Sequence, residues 1–224
     1  MDYHRITAIT DPYFAQMHAL MQNVFPVEEV LAYELWAEPL QDPGIRVFVA
    51  VEQGKVVGAT EYRYYPDLEI AMTDFTIIGQ DGKGIGPFLA GNRMADLRQV
   101  ASEAGGKLNG MFAEIYNPEL SEGLAFGGVK AMNAVVRREV LAHLGYLKLD
   151  LDYVHPSWQI DGEAVHGLDF CYMPLDDAGA KTVDAGLVAR FLETYYAVLS
   201  EKPESWFRMI EGLKTRESVA LLPI

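Results

Sequence analysis

A strand-like run that becomes a helix through three alternating glycines is the feature that most constrains this chain. Residues 73–81 are β-rich, Gly82-Lys83-Gly84-Ile85-Gly86 follows at once, and apolar residues then recur at helical spacing: Ile85, Phe88 or Leu89, Leu97, Val100, Ala101 and Ala104. Pro87 sits just inside the predicted helix start, where its missing N–H costs nothing, and Gly105-Gly106 ends the helix. Glycines let a backbone adopt dihedrals closed to other residues and approach a ligand closely. Successive N–H groups then converge on one point, where the helix dipole adds positive potential. Lys83 adds a mobile positive charge. The segment is a candidate cradle for a phosphate or diphosphate. It is not a P-loop, since no Gly, four residues, Gly-Lys-Ser/Thr run exists. It is not a Gly-x-Gly-x-x-Gly fingerprint either, because the third glycine would fall on Leu89 or Pro87. A glycine turn without a ligand is the alternative for this motif taken alone.

The chain around it has 224 residues, half of them hydrophobic, which is enough to bury a core as one large domain or one core with an appendage. Apolar residues are too many for disorder, and no stretch approaches the roughly 18 apolar residues of a membrane helix. The start, MDYHRITAIT, lacks the layout of a signal peptide. Cys171 has no partner for a disulfide, which suits a reducing cytoplasm, and it reads as a small apolar filler. The formal charge is −14, from 32 acids against 18 bases, so a nucleic-acid interface is set aside. An acidic surface favours cationic ligands at long range and is also a common solubility device.

Along the chain, residues 5–10 read as a strand. Asp11 can cap a helix carrying Phe14, Met17, Leu20, Met21 and Val24. A second helix is expected from Glu28 to about Leu40. Residues 46–52 and 56–65, split by Gln53-Gly54-Lys55, read as a hairpin, and 68–78 as a third strand. Gly110–Tyr116, residues 146–154 and Leu168–Pro174 are further strands. Leu187, Val188, Phe191, Leu192, Tyr195, Val198 and Leu199 form one helical stripe, and Trp206, Ile210 and Leu213 another. Residues 218–223 end the chain as a strand. The first stripe is expected to pack on the sheet, with a homodimer surface as its alternative role. This is a mixed α/β layout.

The strand, Gly82-Lys83-Gly84-Ile85-Gly86, amphipathic helix, strand and later Leu144-Gly145-Tyr146 resemble the GCN5-related N-acetyltransferase (GNAT) family. That family carries Arg/Gln-x-x-Gly-x-Gly/Ala at this loop, and a later helix ending in Leu-Gly-Phe or Leu-Gly-Tyr. Val24-Phe25-Pro26-Val27-Glu28-Glu29 is similar to the helix break on the acceptor side of many members. The resemblance covers roughly residues 5–156. It implies a mixed, mostly antiparallel sheet flanked by helices, with a core over 1–175 and a C-terminal helical extension over 176–224 packed on it. It also implies acetyl-coenzyme A as co-substrate and a small-molecule amine as acceptor; no metal is expected, since the histidines lack ligand spacing and there is no cysteine cluster. Carried over, Gly82, Lys83, Gly84, Ile85 and Gly86 hold the diphosphate, with Pro87 at the helix mouth. Phe75, Thr76, Ile77 and Ile78 pair with the pantetheine arm, and a backbone N–H near Thr76 polarises the thioester carbonyl. Asn117 is assigned to the cofactor with them. Two positions depart from the pattern: Asp81 stands at the Arg/Gln position, and Leu141 where many members have a tyrosine acid.

An amine is mostly protonated at neutral pH, so direct attack on a thioester needs a base. Glu114 is the first candidate, on a strand that in the family splays near the acyl group. A solvated strand carboxylate is its plain alternative. Glu61 and Asp74 are the other carboxylates on predicted central strands. Tyr153 and Tyr116 are candidate acids for the leaving thiolate, and His155 could border the acceptor site. Residues 120–132 read as an inserted loop that could cover a substrate. No histidine pair has metal-ligand spacing and no nucleophile elbow exists. Two alternatives stay open: a non-catalytic acyl-coenzyme A-binding module, and an enzyme with another acyl donor or acceptor.

Overall fold

The structure, a computed structural model, describes all residues except 26–29, 81, 121–133, 158–163 and 166. They form two compact units, one built mainly from Met1–Asn109 and one mainly from Gly110 onward.

The first unit is an antiparallel sheet in the order β1 (Asp2–Ile6), β2 (Ile45–Glu52), β3 (Lys55–Tyr65), β4 (Ile70–Ile78), with helices α1 (Phe14–Val24) and α2 (Ile85–Glu103). Gln53 and Gly54, at φ of 50° and 75°, make the tight turn of the β2–β3 hairpin. Side chains alternate across the strands, so each face takes one helix. Val47, Val49, Ala59, Phe75 and Ile77 pack with Phe14, Met17, Met21 and Val24 of α1, whereas Ala50 and Val57 pack with Ile85 and Leu89 of α2. The second contact depends on Gly58. A Cβ there would lie 2.5 Å from Ile85 Cγ2 and 2.8 Å from the Ile77 carbonyl oxygen.

The second unit is an antiparallel sheet in the order β5 (Gly110–Tyr116), β9 (Leu168–Pro174), β6 (Leu147–Leu149), β11 (Ser218–Leu222), β10 (Thr182–Asp184). It carries α3 (Ala134–Leu144), α4 (Ala185–Tyr195) and α5 (Glu204–Lys214), and a small ribbon of β7 (His155–Pro156) with β8 (Ala164–Val165). Phe191 of α4 lies on the sheet, its ring 4.5 Å from Phe112 and 6.0 Å from Phe170. The stripe over 187–199 therefore packs on strands of its own unit, with Val188, Phe191 and Leu192 buried and Val198 exposed. Asp184 caps α4, accepting a hydrogen bond from the Leu187 N–H.

The mixed, mostly antiparallel sheet flanked by helices, with further helices near the C-terminus, is the fold class the sequence pointed to. Three elements differ from expectation. Where a helix was expected to reach Leu40, the described residues form two 3₁₀ turns, Tyr33–Ala37 and Pro39–Gln41. Pro39 removes a ladder hydrogen bond, and only Trp36 and Leu40 are buried, too small a face to hold a long helix. The first strand runs Asp2–Ile6 because the chain turns at once, the Asp11 N–H bonding the Ala8 carbonyl. Asp11 does accept a backbone N–H, that of Tyr13, but Tyr13 is the cap position of α1. The strand expected over 146–154 is reduced to Leu147–Leu149.

Asp169 on β9 is 5% exposed and accepts from Arg138 Nη1 at 2.5 Å, Lys148 Nζ at 3.0 Å and Asn117 Nδ2 at 3.3 Å. Burial pushes its carboxyl up, but the hydrogen bonds from Arg138 and Lys148 and their charges bring it below the ordinary carboxylate value. Cys171, two residues on, has its thiol pushed up to about 12 by burial and then by Asp169, so it stays protonated and serves as packing.

Two measurements check this description. Gly58→Val should destabilise the protein by about 2 kcal/mol or more in urea unfolding, since a backbone oxygen cannot move aside. For Asp169, a lowered folded pKa means stability that is full above the unfolded value of about 3.9 and lost as pH falls through the folded value. Asp169→Asn should therefore be less stable at neutral pH and lose less stability on acidification than the wild type. Parallel acid profiles would show that the carboxylate is not held as described.

Candidate functional site

Candidate residues gather in two places, one in each unit. In the first, Gly84 is the cap residue of α2, with φ 70° and ψ 20°, and as a glycine it has no side chain with which to cap the helix. Gly82 has a φ of 73°. Glycine takes such left-handed dihedrals without the steric cost that a Cβ brings. Among the described residues, no heavy atom lies within 4 Å of where a Cβ on Gly82 or Gly84 would sit, so those positions are open. The first helical amides have no partner within the helix, and the ladder opens with the Phe88 N–H on the Gly84 carbonyl. Ile85 is buried and anchors the loop in the core, and Pro87 stands in the first turn. Lys83 is not a free charge, since its Nζ lies 3.0 Å from Glu52 Oε2, both side chains being well exposed. Such a pair holds weakly in water. A helix start of this kind leaves backbone donors for an anion. Asp81 lies outside the described residues.

The strand that feeds the loop is bulged. Glu61 of β3 opposes Phe75 while Tyr62 opposes Thr73, so Asp74 is an extra residue on β4. Phe75 and Ile77 are buried toward α1, and Thr76 and Ile78 are half-buried. The Thr60 hydroxyl donates to the Phe75 carbonyl at 3.0 Å, and the Thr73 hydroxyl to the Glu61 carbonyl at 3.2 Å. The carboxylate alternatives Glu61 and Asp74 sit at this bulge. Burial, and then the Asp74 charge, hold Glu61 well above the usual range, with Arg63 opposing.

In the second unit, Glu114 is not a solvated strand carboxylate. Its side chain is 14% exposed and sits opposite Phe170 on β9. Oε1 accepts from the Tyr196 hydroxyl at 2.6 Å and also from the Tyr153 hydroxyl. The two phenolic oxygens are 2.7 Å apart. His155 Nε2 lies 3.4 Å from Oε2. Burial first, and then the Glu114 charge, push the Tyr196 phenol well above its ordinary value, so it stays neutral and donates. The structure thus brings together the sequence candidates Glu114 and Tyr153, adds His155, and leaves Tyr116 buried in β5 opposite Leu168. Tyr196 was missed. It occupies a buried place beside the apolar stripe of α4, and a buried tyrosine hydroxyl has to find a partner. Asn117 is buried and engaged. Its Nδ2 donates to Asp169, and its Oδ1 accepts from the Glu119 N–H at 3.0 Å.

Among the described residues, no three or more His, Cys, Asp or Glu side chains are arranged to hold a metal ion, and no helix is long and apolar enough to cross a membrane. The expected insertion over 121–132, the helix break at 26–29 and His166 fall outside the described residues.

No known family profile matches the sequence, and no curated protein is similar to it in sequence. Solved structures are similar in fold. A GNAT-family protein from Bacteroides thetaiotaomicron is 14% identical, covers 91% of this chain and 100% of its own, and superposes with a TM-score of 0.58. The ribosomal-protein-S18-alanine N-acetyltransferase of Escherichia coli is 16% identical, covering 80% of this chain and 96% of its own, with a TM-score of 0.51. A GNAT-family protein from Desulfovibrio desulfuricans is 19% identical, covering 78% of this chain and 97% of its own, with a TM-score of 0.50. With the glycine-capped helix following a bulged β4, these similarities establish that the chain has the fold of the GCN5-related N-acetyltransferases.

Proposed function

We propose that this protein is an acetyl-coenzyme A-dependent N-acetyltransferase that acetylates the amine of a small molecule by direct attack in a ternary complex. The observation that carries this reading is the α2 cap: two glycines at positive φ with room at their Cβ positions, at a helix start whose first amides have no partner within the helix. A diphosphate fits that cradle by charge and by donor chemistry. Gly82, Lys83, Gly84, Ile85 and Gly86 would hold it through their amides, with Lys83 exchanging Glu52 for a phosphate oxygen. Phe75, Thr76, Ile77 and Ile78 would hold the pantetheine arm through backbone groups, and a backbone N–H near Thr76 would stabilise the oxyanion. When bound, acetyl-coenzyme A supplies the activated acyl group.

In the reaction, the amine nitrogen bonds to the thioester carbonyl carbon, the carbon–sulfur bond breaks and the thiolate leaves. Glu114 is assigned as the base that takes the amine proton, and Tyr153 as the acid that returns a proton to the thiolate. Tyr196 and His155 orient Glu114. The net charge of −14 favours approach of an ammonium-bearing acceptor. The lone, buried Cys171 suits a reducing compartment such as the cytoplasm.

A second reading is a non-catalytic acyl-coenzyme A-binding module. It is favoured by the engagement of Glu114 by two phenols and a histidine, and by the absence of a hydroxyl at Leu141. Thiol release with a panel of amines separates the two readings, since a module binds without turnover.

Calorimetry with acetyl-coenzyme A should detect binding to the wild type and at least about tenfold weaker binding to a folded Gly84→Val, a loss of roughly 1.4 kcal/mol. Equal affinity would remove the glycine loop from the site. Glu114→Gln should lower kcat by about 100-fold or more, the usual scale for a lost general base, with little change in cofactor affinity. Wild-type turnover in that variant would remove Glu114 from the mechanism.

A further inference from the structure

The inward stripe of α2 is Ile85, Leu89, Arg93, Leu97 and Ala101, spaced four apart and all buried. Four are apolar and the middle one is an arginine, 3% exposed. Among the described residues, no carboxylate lies at ion-pair distance from Arg93, and its Nε has no hydrogen-bond partner. Burying a guanidinium without a counter-charge is costly, and a leucine here would continue the stripe.

What Arg93 touches is the β4 bulge. Its Nη1 lies within hydrogen-bond distance of the hydroxyls of Thr60 at 3.1 Å, Thr73 at 3.1 Å and Thr76 at 2.6 Å, sharing its two hydrogens among the three oxygens. Thr73 and Thr76 are three residues apart, and regular alternation would put them on opposite faces of the sheet. The extra residue, Asp74, brings both to the face that carries α2. Because each threonine oxygen accepts from Arg93, its own hydrogen must go elsewhere. Thr60 gives its hydrogen to the Phe75 carbonyl and Thr73 to the Glu61 carbonyl, on either side of the bulge. The Thr76 hydroxyl is left with the longest contact of the set, 3.3 Å to Thr60 Oγ1.

We propose that Arg93 is a positioning residue for the acetyl transfer. It locks the β4 bulge and the Thr76 hydroxyl to α2, and so fixes residues 75–78 relative to the helix start that would hold the diphosphate. The inference rests on the function proposed above. One helix performs both tasks: from Gly84 to Arg93 is nine residues, about 14 Å of rigid helix. The thioester end and the diphosphate end of one ligand are thereby set at a constant separation.

The test compares the wild type with Arg93→Met, Arg93→Lys and Thr76→Val. It reads kcat and KM with acetyl-coenzyme A and an amine panel, coenzyme A affinity by calorimetry, and amide hydrogen exchange at residues 75–78. In Arg93→Met, exchange at 75–78 should accelerate about tenfold or more as the bulge is released. Its kcat should fall at least about tenfold, as for a misplaced oxyanion donor, and by clearly more than coenzyme A affinity does, since the cradle at 82–86 is untouched. Arg93→Lys keeps the charge on a shorter side chain that does not reach the bulge as Nη1 does, and should fall between the two. Thr76→Val should lower kcat in the same sense, and the double variant should be no worse than the worse single, because the residues act as one unit.

A folded Arg93→Met with unchanged exchange and kcat would overturn the proposal. So would a loss of kcat accompanied by an equal loss of coenzyme A affinity, which is the mark of a merely structural residue. If Arg93→Met does not fold, Thr76→Val decides by the same readings. A wild type that neither binds coenzyme A nor transfers acetyl groups would end the proposed function instead. Exchange at 75–78 would still judge the hold of Arg93 on the bulge, and unaltered exchange would refute it.

Discussion

Helix α2 lies where it does because β3 has no side chain at Gly58. That gap lets Ile85 and Leu89 reach the sheet, with Ile85 closing against the strand where any Cβ would collide with it. Two consequences follow from this one contact. The helix start is held at the end of β4, where Gly84 in a left-handed conformation turns strand into helix. One stripe position further along than Leu89, Arg93 arrives over the bulge and its three threonines. A side chain at Gly58 would shift the helix start and the guanidinium together.

Polar groups in the first unit are grouped rather than scattered. Arg46 forms a two-pronged pair with Asp96, which also accepts from the Tyr62 hydroxyl, and Tyr62 in turn meets Tyr3. Burial, with the neighbouring phenol and carboxylate, keeps Tyr62 neutral far beyond its ordinary range. The second unit uses the same device around Asp169, whose two cations and one amide satisfy it, and around Glu114, whose donors are two phenols. Asp96, Asp169 and Glu114 are thus each tied by more than one donor, which offsets the cost of burying them.

Much of this was legible in the sequence where periodicity was clean. Gly110–Tyr116 and Leu168–Pro174 were read at their observed bounds, and the C-terminal stripes became α4 and α5. The glycine loop was legible because a strand, alternating glycines and an amphipathic helix leave few other conformations. The region before Gln41 was misread because apolar spacing alone does not register the cost of an interior proline. Arg93 could have been found: it interrupts a four-residue apolar spacing that is otherwise unbroken. The bulge could not, because an extra strand residue changes side-chain facing without changing composition. Glu114 and Tyr153 were each singled out locally. Their meeting, and the arrival of Tyr196 beside them, depends on a chain reversal that no local pattern encodes.

The central claim is that the backbone amides at the start of α2 grip a diphosphate. Amide chemical shifts during titration of the intact ¹⁵N-labelled protein with coenzyme A test it most directly. The account predicts that the largest and saturating shifts fall on Gly82, Lys83, Gly84, Ile85 and Gly86. Saturating shifts confined to other segments, with these five amides unmoved, would contradict it.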